Sequence, residues 1–156
     1  PDGRTALPVF TSVAALVAWR NDARPMPARA PLAAASALAE GWPLLVLDPG
    51  GPVTVVVPRP AVQALAAGLP WEPAVTAGVV RGDVADAIER TVTAVEGVMD
   101  VRVVPGRAAE VAVVLGLPPG LDRAGLDAVL RRVDAAIATD PVVAQVDSLE
   151  LRPVAR

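Results

Sequence analysis

One stretch decides the fold of this chain: residues 44–57, which read LLVLDPGGPVTVVV. Two aliphatic runs, Leu44–Leu47 and Val53–Val57, flank the turn-forming segment Asp48–Pro52, and this pattern predicts a β-hairpin. Because both runs are apolar at nearly every position, both faces of the hairpin should be covered by the neighbouring Ala-rich segments. The two glycines of the turn are compatible with an anion-binding nest of backbone amides, but the prolines beside them remove donors and favour a plain connection.

The sequence around the hairpin predicts that residues 1–68 form one αβ domain with the order β-α-α-β-β-α. Ser12 is placed to cap the first helix, and Gly41 and Gly68 are placed to end the second and third. A connector broken by prolines separates the first two helices. The expected strands and helices cover residues 7–10, 13–19, 31–40, 44–47, 53–57 and 60–67.

The second half predicts a separate domain. Residues 69–74, in which Trp71 stands between two prolines, read as a linker. Residues 75–156 follow the order β-α-β-β-α-β, which is typical of a ferredoxin-like unit. In this domain Asp83 and Asp122 are expected to cap helices, and Asp127 and Arg131 to form an ion pair. The strands are expected over residues 74–80, 98–104, 111–117 and 142–151. The whole chain is therefore predicted to be an α/β (α+β) protein.

Composition limits the class of protein. The chain has 156 residues, of which 53% are hydrophobic, and a net charge of -3. The apolar content is too high for a disordered tail, and the negative charge argues against nucleic acid as a partner. No stretch approaches the ~20 apolar residues of a membrane span, so we expect a cytoplasmic protein without a membrane partner.

The available side chains argue against catalysis. The chain contains no Cys, His or Tyr, and all 14 basic residues are Arg. Thiolate metal sites, imidazole bases and Schiff-base lysines are thereby excluded. The nearest carboxylate pairs, Asp83 with Asp86 and Asp122 with Asp127, stand at helix starts, where capping explains them. We expect no enzyme, no metal and no cofactor; a carboxylate hydrolase would need two acids converging in one cleft.

Two short sequence motifs carry a resemblance to a known family. LPVFTS at residues 7–12 and LVLDPGGP at residues 45–52, with the Ala-rich helix between them, resemble the SseB family, named for enhanced serine sensitivity, in its actinobacterial form. The resemblance covers about residues 4–68 and implies the family's N-terminal domain. The second half is similar in element order alone to the family's C-terminal domain. The resemblance implies a fold without an assigned catalytic site.

These observations favour a non-enzymatic binding or scaffold module with an unknown protein partner or with itself as partner. Trp71 is either a plug between the halves or an exposed anchor for a partner. The alternative is a sensor of a small, amino-acid-type ligand. Its site would be the loop GLPPGLD, in which a Gly-rich segment meets a helix N-terminus. The residues of this speculative ligand loop are Gly116, Pro119, Gly120 and Asp122.

Overall fold

The computed structural model describes residues 5–156, so residues 1–4 of the predicted first domain lie outside the described residues. The chain forms two compact units, one ending at Glu72 and the other covering Pro73–Arg156. Both contain helices and strands, which confirms the mixed α/β class. Over the described residues, no helix combines the length and the apolar character that crossing a bilayer requires.

A three-stranded sheet with helices against it forms the first unit. The central strand, β2, pairs in parallel with β1 and antiparallel with β3. The sheet and the helices enclose a small core. Its buried residues are Leu45 from the sheet and Ala34, Ala37 and Val62 from the helices. The elements are β1 (Ala6–Val9), α1 (Val13–Trp19), α2 (Ala30–Ala39), β2 (Leu44–Leu47), β3 (Val55–Val57) and α3 (Arg59–Ala67).

Local sequence signals set the ends of these helices. The Ser12 hydroxyl accepts a hydrogen bond from the Ala15 amide at 3.1 Å, which confirms Ser12 as the cap of α1. Gly68 ends α3 in the left-handed region, at φ 68°, and is thereby confirmed as its C-terminal stop. Pro31 and Pro60 each lie in the first turn of a helix, where a missing amide proton costs no helical hydrogen bond.

The hairpin forms, but the expectation that both of its strands are covered is wrong for the second one. Strand β3 begins at Val55, two residues later than predicted, and pairs Val57 with Leu45. The side chains of Val55 and Val56 are exposed. The physical reason is position: β3 is an edge strand, and only Val57 packs against the core.

The second unit has a larger core around one buried strand. Strand β7 runs through the middle of a three-stranded sheet, antiparallel to β6 and parallel to β8. Helices α4 and α5 add further fully buried side chains, among them Ile88 and Val133. The elements are β4 (Val75–Thr76), β5 (Val79–Val80), α4 (Gly82–Thr93), β6 (Asp100–Pro105), β7 (Val111–Leu117), α5 (Arg123–Ile137) and β8 (Leu149–Ala155).

This sheet does not have the predicted ferredoxin-like layout. The expected strand over residues 74–80 is a tight hairpin, because Ala77 and Gly78 both take positive φ, 51° and 76°, and turn the chain. The resulting strands β4 and β5 form a sheet of their own. The last strand begins at Leu149 and not at residue 142, because Val143–Gln145 forms a 3₁₀ turn.

Two charged positions in this unit also differ from expectation. Helix α4 begins at Gly82, and the Asp83 carboxylate, predicted to cap it, accepts hydrogen bonds from the Arg81 guanidinium at 2.8 and 2.9 Å. Asp127 forms its ion pair with Arg123, at 4.0 Å, and not with the predicted Arg131. Asp122 is confirmed as the cap of α5, since its carboxylate accepts from the Gly125 amide at 2.8 Å.

Candidate binding groove

An open groove of about 880 Å³ lies in the first unit, between one face of the sheet, helices α1 and α2, and the connector that joins these helices. Its volume is at the upper end of the roughly 300–1,000 Å³ of ordinary ligand sites. The lining is apolar almost throughout, and Arg24 is the one charged residue in it within the part of the chain that the structure describes. The apolar side chains that line it include Leu7, Val9, Phe10, Val13, Leu16, Trp19, Met26, Leu32, Leu45, Leu47, Val57 and Leu65.

The composition of helix α2 explains why this space is open. Six of its ten residues are alanine. Ala34 and Ala37 are fully buried in the core cluster, where their small size allows close packing. Ala33 lies on the groove side of the same helix, and a methyl group there projects little into the groove. The sequence therefore builds a helix that packs closely on one side and leaves a gap on the other.

The connector between α1 and α2 forms the outer wall of the groove. Prolines at 25 and 27 remove backbone donors, and residues 24–28 take part in no backbone hydrogen bond with the described chain. Met26 stands in this wall with 89% of its surface exposed. A wall with so few internal hydrogen bonds can adjust its shape.

An interaction across the sheet end fixes the position of helix α1. The Asp48 carboxylate accepts hydrogen bonds from the Thr11 amide at 2.8 Å and from the Thr11 hydroxyl at 2.6 Å. These two bonds hold the pKa of Asp48 below its usual value. Because Thr11 directly precedes the cap of α1, the clamp sets where this helix and its Trp19 stand over the groove.

Trp19 lines the groove together with Phe10. Its ring lies 5.3 Å from that of Phe10, and the Arg20 guanidinium lies 4.9 Å from the Trp19 ring centre. The two aromatic side chains pack together, and two-fifths of the surface of Trp19 is exposed. A flat aromatic surface with a guanidinium over it suits contact with another molecule.

The turn of the hairpin forms a smaller pocket beside Trp19, of about 340 Å³. Asp48 takes a left-handed conformation here, at φ 47°, and Gly50 follows at φ 77°. The Gly51 amide donates to the Asp48 carbonyl at 3.0 Å, and the Thr54 hydroxyl donates to the same carbonyl. The Gly51 amide is thus used inside the turn, and the Asp48 carboxylate would repel an anion. This segment is therefore a hairpin connection and not an anion nest.

The four residues of the predicted ligand loop do not share one environment. Gly116 lies within strand β7, directly opposite Asp100. Its missing side chain leaves room for Asp100 and Arg156, which form an ion pair at 2.9 Å across it. Pro119 and Gly120 are exposed in the loop, and the Asp122 carboxylate itself occupies the start of α5. The ligand-loop hypothesis stays a prediction.

Trp71, the predicted plug or anchor, is half-buried. Its indole nitrogen is buried without a hydrogen-bond partner among the described residues. Neither of the two roles is tested by this observation.

Three carboxylates of the second unit serve as structural acceptors. The pKa of Asp83 is lowered by the Arg81 guanidinium, that of Asp140 chiefly by the Val142 amide, and that of Glu150 chiefly by the Arg107 amide. Carboxyl groups held ionised in this way are poor proton donors near neutral pH. Within residues 5–156, no three metal-ligating side chains come together.

Glu110 is an important position that sequence reasoning missed. Its two carboxylate oxygens accept from the Ala74 amide and from the Asp147 amide, both at 2.8 Å. One side chain thus joins segments 36 and 37 residues away. The only local signal was an acid immediately before a buried strand.

The fold and the groove define a two-unit α/β protein whose first unit presents an open apolar surface. Residues 1–64, about two-fifths of the chain, match the family model of the SseB protein N-terminal domain. This match confirms the resemblance to the SseB family, and both of the motifs that carry the resemblance lie within the matched residues. No curated protein and no solved structure matches the chain.

Proposed function

We propose that this chain is a non-enzymatic binding module and that its SseB domain holds an apolar segment of a protein partner in the groove. The observation that carries the proposal is the groove together with its rim. Leu32 and Val13 are exposed at 62% and 58%. Together with Met26 they continue the apolar lining outward, so that lining and rim form one surface. Contiguous apolar surface of this kind marks interaction sites in soluble proteins.

The chemistry of the lining favours a protein segment as occupant. The groove offers aliphatic and aromatic side chains and few polar groups, so hydrophobic burial would supply most of the affinity. Trp19 and Phe10 supply the rigid aromatic area from which binding hot spots are built. An open groove with a flexible proline wall suits a helix or an extended segment that contributes several large apolar side chains.

Site-specific photo-crosslinking tests the proposal. A p-benzoylphenylalanine placed at Met26, on the groove wall, should give a discrete adduct with one polypeptide in the cells that produce the protein. The same group placed at Met99, which is 63% exposed in the second unit, is the matched control. An adduct of twice the chain's mass would identify a second copy as the partner. Equal labelling from both positions would overturn the proposal.

A pair of leucine variants links such an adduct to the groove. Leu32→Asp puts a charge on the groove rim and should abolish the adduct. Position 32 lies in the first turn of α2, where an acid is favourable, so the helix should persist. Leu69→Asp changes a leucine that is 65% exposed but outside the groove, and the adduct should survive. Loss of the adduct in both variants, or in neither, would count against the groove as the binding site.

The cytoplasmic location of the protein stays a prediction from its sequence.

A further inference from the structure

The charges around the groove indicate what kind of segment it binds. We propose that the partner segment is amphipathic and acidic, with its apolar stripe in the groove and its acidic residues against the arginines of the connector. This inference rests on the proposed function of the groove and adds the charge of its partner.

The connector is a local positive region on a negative chain. Residues 20–29 contain three arginines and one aspartate, a net charge of +2, whereas the whole chain carries -3. Arg20, Arg24 and Arg29 are all exposed. Among residues 5–156, no acidic side chain lines the groove. The field at its outer wall is therefore positive and attracts acidic groups.

Two of these arginines are available for a partner. Arg20 already lies over Trp19 and 4.0 Å from Asp22. Among residues 5–156, the side chains of Arg24 and Arg29 take part in no ion pair or hydrogen bond. Guanidinium groups left open beside an apolar groove suit carboxylates, to which they can donate two parallel hydrogen bonds.

The spacing of these features fits an amphipathic segment. Arg24 lines the groove itself, beside Pro25 and Met26, so apolar and cationic surface are in direct succession along the wall. A segment with its apolar side chains on one face and acids on the flank would contact both at once. A basic segment would bring like charges together, and a purely apolar one would leave the arginines without partners.

The test uses three synthetic 18-residue amphipathic peptides with an identical leucine stripe and a polar face of Glu, Gln or Lys. Binding to the full chain is measured by calorimetry and by tryptophan fluorescence, to which Trp19 contributes from the groove. The Glu peptide should bind best and the Lys peptide worst. The preference for Glu should shrink in 0.5 M NaCl, because salt screens exposed pairs.

Two arginine variants separate the charge effect from the groove. Arg24→Gln should weaken the Glu peptide by about two- to fivefold and the Gln peptide by a smaller factor. Arg59→Gln, an exposed arginine of the same unit outside the groove, should change neither. If the Glu, Gln and Lys peptides bind equally well, and Leu32→Asp abolishes the binding of all three, the acidic preference is overturned and the binding role of the groove stands. Failure of all three peptides to bind would overturn both.

Discussion

Filling the groove from inside tests whether the space beside α2 is open. Ala33→Leu adds three carbon atoms to a half-buried groove position of this helix. Each carbon contributes about 0.8 kcal/mol when fully buried, so complete burial would give about 2.4 kcal/mol. Ordering the leucine costs about 0.7 kcal/mol. The expected stabilisation lies between about 0.5 kcal/mol for half burial and about 1.7 kcal/mol for full burial.

A matched variant on the same helix provides the control. Ala35 is exposed and lies outside the groove, and leucine is nearly as good a helix former as alanine, so Ala35→Leu should change stability by less than about 0.5 kcal/mol.

Thermal and urea unfolding, followed by tryptophan fluorescence, measure the difference. A gain of about 1 kcal/mol corresponds to a rise of roughly 4–8 °C for a unit of this size. The filled groove should also lose the Met26 crosslink. If Ala33→Leu destabilises the protein, or matches Ala35→Leu, the groove is not the open space described and the reasoning fails.

Two further predictions concern the second unit. Gly116→Ala should destabilise the protein by about 1–3 kcal/mol in urea unfolding, because the new Cβ would lie 2.9 Å from the Asp100 Cβ. The control is Gly82→Ala, whose new Cβ meets no atom within 4 Å and which should be neutral or stabilising. Equal effects of the two substitutions on stability would contradict the crowding argument. The pKa of Asp140 is lowered in the folded state by the Val142 amide and the Thr91 hydroxyl, so its contribution to stability is present above the ordinary value of 3.8 and is lost as pH falls below it. Unfolding free energies between pH 6 and pH 2.5 should therefore fall less steeply for Asp140→Asn than for the unaltered chain, and parallel curves would refute the assignment.

Local signals in the sequence were sufficient for much of the fold. The hairpin followed from two aliphatic runs around a Pro/Gly turn, and the Ser12 and Asp122 caps followed from a side-chain oxygen three residues before an amide that needs a partner. The mixed α/β class followed from the alternation of these elements along the chain.

Features that depend on distant residues were beyond sequence reasoning. Nothing near Glu110 indicates that its carboxylate joins Ala74 to Asp147. The hairpin at residues 75–80 was missed because Ala77, an unusual residue for positive φ, forms half of its turn. The order of strands in a sheet is likewise set by pairing across the unit, so the order of elements along the chain, on which the ferredoxin-like prediction rested, was not sufficient to determine it.

The groove was missed for another reason: it consists of missing volume. Periodicity identifies residues that fill a core, whereas the groove exists because small alanine side chains of α2 leave the space beside the helix unfilled. The signal that could have pointed to it is the combination of an Ala-rich helix with an adjoining proline connector that carries Met26. Apolar residues with no helix to cover them are visible only after the sheet is assembled.

The two sides of helix α2 have different tolerance to change. At Ala34 and Ala37, both fully buried, a larger residue would push neighbouring elements apart and threaten folding. At Leu32, Ala33 and Ser36, which line the groove, many side chains can be accommodated, and each would change the shape of the groove. If the groove binds a partner as proposed, mutations on this side of α2 can change which partner is bound while the core stays intact. The residues that would determine binding and the residues that maintain the fold then lie on opposite sides of one short helix.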